Sequence, residues 1–132
     1  MTKTQQIFNL TAPYDNPYQS NRTRILFVCS AGLLRSPTGA AVGSARGYNT
    51  RSCGTQGYAL ILLSVNLIEW AEKIVFVHFD NYVEAIQEFE AVGYHVDIMQ
   101  KKIILDIPDN YDAFHPSLIA MFNEWFDKWE KS

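Results

Sequence analysis

"RILFVCSAGLLRSPTGAAVGSARG", Arg24 to Gly47, is the stretch on which the fold turns. Its first part, Arg24 to Cys29, is a continuous apolar run, the mark of a strand covered on both faces. Its last part reads as a helix over Ser36 to Arg46, with Pro37 suited to the first turn and Gly47 to the C-terminal stop. Gly39 and Gly43 weaken that helix but let it lie close to a sheet. Between strand and helix stands "CSAGLLRS", which puts a thiol and a guanidinium six positions apart at the strand's C-terminal end.

Moving outward, the same alternation repeats. "YNTRSC" (48–53), closed by Gly54, is a short second strand, and Leu60, Leu63, Leu67 and Ala71 recur at helical spacing. "KIVFV" (73–77) is a third buried strand, and Val83, Ile86 and Phe89 continue a helix that Gly93 ends. "KIILDI" (102–107) is a fourth buried strand, with "YHVDIM" (94–99) extended before it. Pro116 opens a last helix whose apolar face is Leu118, Phe122, Trp125, Phe126 and Trp129. The order predicts an α/β three-layer sandwich: one four-stranded parallel sheet with helices on both faces. Residues 1–22, with Tyr14 and Tyr18, read as an irregular N-terminal arm, and 23–132 as the folded domain.

Composition excludes several classes. A chain of 132 residues, 48% hydrophobic and 19% charged, suits one globular domain. Its net charge of −3 argues against a nucleic-acid-binding surface. No apolar run reaches the roughly 20 residues of a membrane span. The N-terminus lacks a signal-peptide pattern, so a cytoplasmic location with reduced thiols is expected. Cys29 and Cys53 are too few for a structural zinc site, and His78, His95 and His115 show no ligand spacing, so neither metal nor cofactor is expected.

The loop carries the chemistry. Beyond a parallel strand's C-terminal end lies the usual site of such sheets. A helix N-terminus there offers unpaired N–H groups and a positive dipole end. Residues Ser30, Ala31, Gly32, Leu33 and Leu34 are enough to curl around one tetrahedral anion. Arg35 would grip two of its oxygens through a planar fork. A thiol beside a cation and a helix N-terminus loses its proton more readily than a free one. Cys29 is then a nucleophile aimed at phosphorus, and Ser36 can hydrogen-bond the thiolate. The plainer alternative makes Cys29 a buried core residue and Arg35 a solvated helix end.

"ILFVCSAGLLRSPTGAAV" resembles the low-molecular-weight protein tyrosine phosphatases, in particular their short bacterial and phage-type members. The resemblance continues through "RSCGT" (51–55), "LIEWAEKIVFV" (67–77) and "ILDIPDNYD" (104–112). It implies the strand order 2-1-3-4 and hydrolysis of phosphotyrosine or similar aryl phosphates through a phosphocysteine, on a phosphorylated protein or small substrate. It also implies a late-loop general acid, here Asp109, with Tyr111 beside the pocket; Asp112 is a second candidate. Two departures stand out. Gly32 replaces an asparagine that in the family bonds a serine of the second-strand region, here Ser52. Asn110 replaces the proline after the acid.

Other readings compete. "LFVCSAG" also resembles the phosphocysteine carriers of sugar phosphotransferase systems, the IIB components. They need neither Arg35 nor a late acid. Thioredoxin-linked arsenate reduction needs further cysteines, absent from "GYALILLS" (57–64). A weakly active phosphate-binding module fits the two departures.

Overall fold

The computed structural model describes residues 22–132, and residues 1–21, with Tyr14 and Tyr18 of the expected arm, lie outside them. The strands are β1 (Arg24–Cys29), β2 (Asn49–Gly54), β3 (Lys73–Phe76) and β4 (Lys102–Ile104). The helices are α1 (Arg35–Ala45), α2 (Val65–Trp70), α3 (Phe79–Phe89), α4 (His95–Lys101) and α5 (Pro116–Lys131). All strand pairs are parallel and the order is β2-β1-β3-β4. Cys29 pairs with Gly54, Val28 with Phe76, and Phe76 with Ile104, so all four strands end along one edge of the sheet.

Alternation along β1 builds two cores. Ile25 and Phe27 face α1 and α5, where Leu118, Phe122 and Phe126 are fully buried. Leu26 and Val28 face α2, α3 and α4, with Leu67, Ile68, Ala85, Phe89 and Ile98. Phe27 meets Phe122 edge-on, with ring centroids 5.8 Å apart. Burying each such ring stabilises the fold by about 1.5–3 kcal/mol. A Cβ on Gly39 would lie 2.6 Å from the Phe27 ring, and one on Gly43 2.7 Å from Thr50 Cγ2. The two glycines therefore do set α1 close on the sheet.

Three expectations are corrected. The segment 94–99 is helical: Tyr94 and Ile98 sit on one face, where the Ile98 N–H donates to the Tyr94 carbonyl at 3.1 Å. The helix expected from Leu60 is confined to α2, because Ser64 caps it by accepting from the Leu67 N–H. Leu60 to Leu63 instead run beside Gly54, with Ile61 and Leu63 exchanging backbone bonds with it. β4 is an edge strand whose outer residues are exposed, not a buried one. No helix of the described residues is long and apolar enough to cross a membrane.

Candidate active site

β1 delivers Cys29 to the sheet's C-terminal edge, and α1 begins six residues later. Gly32 adopts φ +70°, a left-handed turn that brings its N–H to 3.1 Å from Cys29 Sγ. Behind the loop, the N–H groups of Thr55, Gln56 and Leu60 donate to the carbonyls of Cys29, Ser30 and Ala31 at 3.0, 3.0 and 3.2 Å. This pins the carbonyls outward. Gly54 permits the approach, since a Cβ there would sit 2.4 Å from the Ser30 carbonyl oxygen. At the start of α1, Leu34 supplies no side-chain cap and the first turn holds no acid. The helix's leading N–H groups are thus kept for an anion.

Cys29 is buried, and its Sγ lies 3.0 Å from Ser36 Oγ. Ser36 Oγ is also 3.3 Å from the Cys53 carbonyl. Arg35 is buried too; its Nη1 donates to the Ile107 carbonyl at 3.1 Å and its Nε lies 3.6 Å from Asp109 Oδ1. One cavity of about 320 Å³ joins Ser30, Arg35 and Asp109 with His78, Asn81 and Asp106. Leu33 and Leu34 are partly exposed on the loop. Ser52 is buried behind the loop, and its hydroxyl has no partner among the described residues. Tyr111 does not line the cavity: its ring packs at 4.9 Å against His115. The backbone carbonyl of Asp112 accepts from the His115 N–H, which braces the turn into α5.

Cys53 belongs to the α2–α4 core and Cys29 to the α1–α5 core, so the two side chains leave the sheet on opposite faces. Burial, then the Cys29 and Glu88 charges, push the Cys53 thiol well up, which keeps it neutral. Among the described residues no group of three or more His, Cys, Asp or Glu is placed to hold a metal ion.

No family model matches this chain, and no curated protein does. Solved structures do. Wzb of Vibrio vulnificus, in complex with benzylphosphonate, superposes with a TM-score of 0.64 at 17% identity, covering 84% of this chain and 99% of that one. A low-molecular-weight protein tyrosine phosphatase of Bacillus subtilis gives 0.63 at 16% identity, covering 83% and 99%. The YwlE arginine phosphatase of Geobacillus stearothermophilus gives 0.60 at 17% identity, covering 83% and 94%. The fold is that of the low-molecular-weight protein tyrosine phosphatases.

On this phosphatase fold the chain carries a polar network that sequence reasoning missed. Asn81 is buried, and its Nδ2 donates to Ser30 Oγ at 3.1 Å and to Glu84 Oε1 at 3.2 Å. Glu84 also accepts from the side chains of Thr55 and Gln56. One carboxylate on α3 thereby braces two of the three residues whose N–H groups hold the loop's back. The available signal was the i, i+3 spacing of Asn81 and Glu84, which places both on one face of a helix that starts beside the site.

Proposed function

We propose that residues 23–132 form a cysteine-dependent phosphomonoester hydrolase that acts in the cytoplasm on phosphotyrosine or a similar aryl phosphate. The observation that carries this reading is that the Gly32 N–H and Ser36 Oγ meet at Cys29 Sγ, while Ser30 and Arg35 of the same loop line a cavity with Asp109. The Cys29 thiolate attacks phosphorus in line with the leaving oxygen. Arg35 and the loop N–H groups take the charge on the equatorial oxygens. The P–O bond breaks as the S–P bond forms, and Asp109 gives its proton to the departing phenolate. Asp109, now a carboxylate, takes a proton from water, which attacks the phosphocysteine. Inorganic phosphate leaves, and Ser36 receives the returning thiolate by hydrogen bond.

Apolar surface beside the cradle supports an aryl leaving group: Leu33 and Leu34 are 39% exposed and Phe79, next to His78 of the cavity, is 55% exposed. The relatives of this fold include enzymes described as arginine and as tyrosine phosphatases, so phosphoarginine is the comparison substrate. The Asp109–Arg35 pairing favours hydrolysis over phosphate carriage, which needs no acid at that position.

The test is turnover of nitrophenyl phosphate by the wild type and by Cys29→Ser, with acid quench and mass measurement for a phosphorylated Cys29. Turnover lost in Cys29→Ser with retained vanadate binding supports the reading. A wild type that accumulates phosphocysteine without releasing phosphate replaces it with the carrier reading.

A further inference from the structure

Thr38 stands in the first turn of α1 with no solvent exposure. Its hydroxyl donates to the Leu34 carbonyl at 2.7 Å, the last carbonyl of the phosphate loop. That bond to the residue four earlier is an ordinary habit of threonine in helices. The second bond is not: the same oxygen accepts the Phe114 N–H at 2.9 Å, across to the late loop. Phe114 has φ +63°, the one non-glycine with positive φ among the described residues. A phenylalanine gains no local hydrogen bond in that conformation and is strained there, so surrounding contacts must hold it. The Thr38 hydroxyl is such a contact.

The other end of the loop is tied to the same helix turn. The Ile107 carbonyl accepts from Arg35 Nη1, and its N–H donates to the Val77 carbonyl at 2.9 Å. Asp109 lies between these anchors, its side chain 64% exposed. Buried Ile107 and Ala113 give each anchor an apolar foot. The loop that presents Asp109 is thus held upstream by Arg35 and downstream by Thr38, three residues apart on α1.

We propose that Thr38 is a positioning residue for the general acid: its hydroxyl fixes the downstream end of the Asp109 loop to the last carbonyl of the phosphate cradle. This rests on the hydrolase reading, and on Asp109 as the proton donor. Substrate phosphate seated in the cradle and proton delivery to its leaving group are thereby referred to one shared hydroxyl.

The experiment compares Thr38→Val, which keeps the branched shape and loses the hydroxyl, with Thr38→Ser, which keeps it. Vanadate inhibition should be unchanged in both, because the loop N–H groups and Arg35 are untouched. In Thr38→Val, turnover of nitrophenyl phosphate should hold while turnover of phenyl phosphate falls about tenfold, the low end of what a positioned acid supplies. Thr38→Ser should restore the wild-type ratio. Hydrogen exchange should rise at the Phe114 amide in Thr38→Val and stay unchanged in β1, a readout independent of activity. Equal losses on both substrates, or unchanged exchange at Phe114, overturn the proposal. Raised exchange in Thr38→Val, beside a wild type that turns over neither substrate, would sink the hydrolase reading and leave the Thr38 anchor standing. Thr38→Ala reads the same way where the valine variant does not fold.

Discussion

Ser36 Oγ lies 3.0 Å from Cys29 Sγ and 3.3 Å from the Cys53 carbonyl, so one hydroxyl proton is offered two acceptors. While Cys29 holds its proton, the thiol can donate to Ser36 and Ser36 to Cys53. Once the thiolate forms, Ser36 must turn its hydrogen to sulfur. A hydrogen bond to a charged group is worth about 1.5–3 kcal/mol. That gain is realised most fully when the thiolate leaves phosphorus. Ser36→Ala should therefore slow phosphocysteine hydrolysis by about 10–100-fold while sparing its formation. Stopped-flow release of nitrophenolate should show a burst that the wild type lacks. Slowed turnover of Ser36→Ala without a burst would place Ser36 in the first step instead.

Asp109 and Asp112 are separated by leaving-group dependence. Asp109 reaches Arg35 at the cavity, whereas the Asp112 backbone braces a turn. Asp109→Asn should cost about 10²–10⁴-fold on phenyl phosphate and much less on nitrophenyl phosphate, whose leaving group needs little protonation. The acid-donor limb of its pH–rate profile should flatten. Asp112→Asn should do neither. The opposite pattern would move the acid to Asp112.

Much of this was legible because the strongest signals are physical necessities. A fully covered strand must be apolar throughout, and "ILFVC" is; a thiol and guanidinium six apart draw their meaning from standing between its end and a helix start. Gly32, which stands where the resembled family has asparagine, carries the loop through φ +70°, a conformation glycine takes without strain. The segment 94–99 was misread because its apolar residues Val96 and Met99 face solvent, and only the Tyr94–Ile98 pair, four apart, marks the inner face. Leu60 and Leu63 look helical yet serve a loop that is ordered by the cradle it supports; no local pattern records a contact 29 residues away, such as the Leu60 N–H on the Ala31 carbonyl. The spacing of Asn81 and Glu84 was legible, but their distant partners Ser30, Thr55 and Gln56 were not, for the same reason.

Gly39→Ala sets two effects against each other. Alanine favours a helix by about 1 kcal/mol over glycine. Its Cβ would lie 2.6 Å from Phe27 and 2.8 Å from Phe122, both fully buried rings. Overpacking of this kind costs about 1–3 kcal/mol. Net destabilisation of up to about 2 kcal/mol is expected, read as a lower urea midpoint. A raised midpoint would mean that the rings yield.

Ser52→Ala runs against the rule that buried substitutions destabilise. The hydroxyl is buried without a partner among the described residues, a situation that costs about 1–3 kcal/mol where it occurs. Stability should be unchanged or raised, and turnover unaffected. A loss above about 1 kcal/mol in urea unfolding would show that the hydroxyl is bonded in solution.

Cys29 and Cys53 leave the sheet on opposite faces, and this decides how the protein meets peroxide. A sulfenic acid at Cys29 has no second thiol on its own side with which to close a disulfide. Its reversible exits are the Gly32 nitrogen, already 3.1 Å away, and a small thiol that enters the cavity. Where neither acts in time, oxidation continues to sulfinic acid, and that step is not undone by ordinary reductants. Recovery after an oxidative pulse then follows the thiol supply of the surroundings rather than a resolving partner folded into the chain.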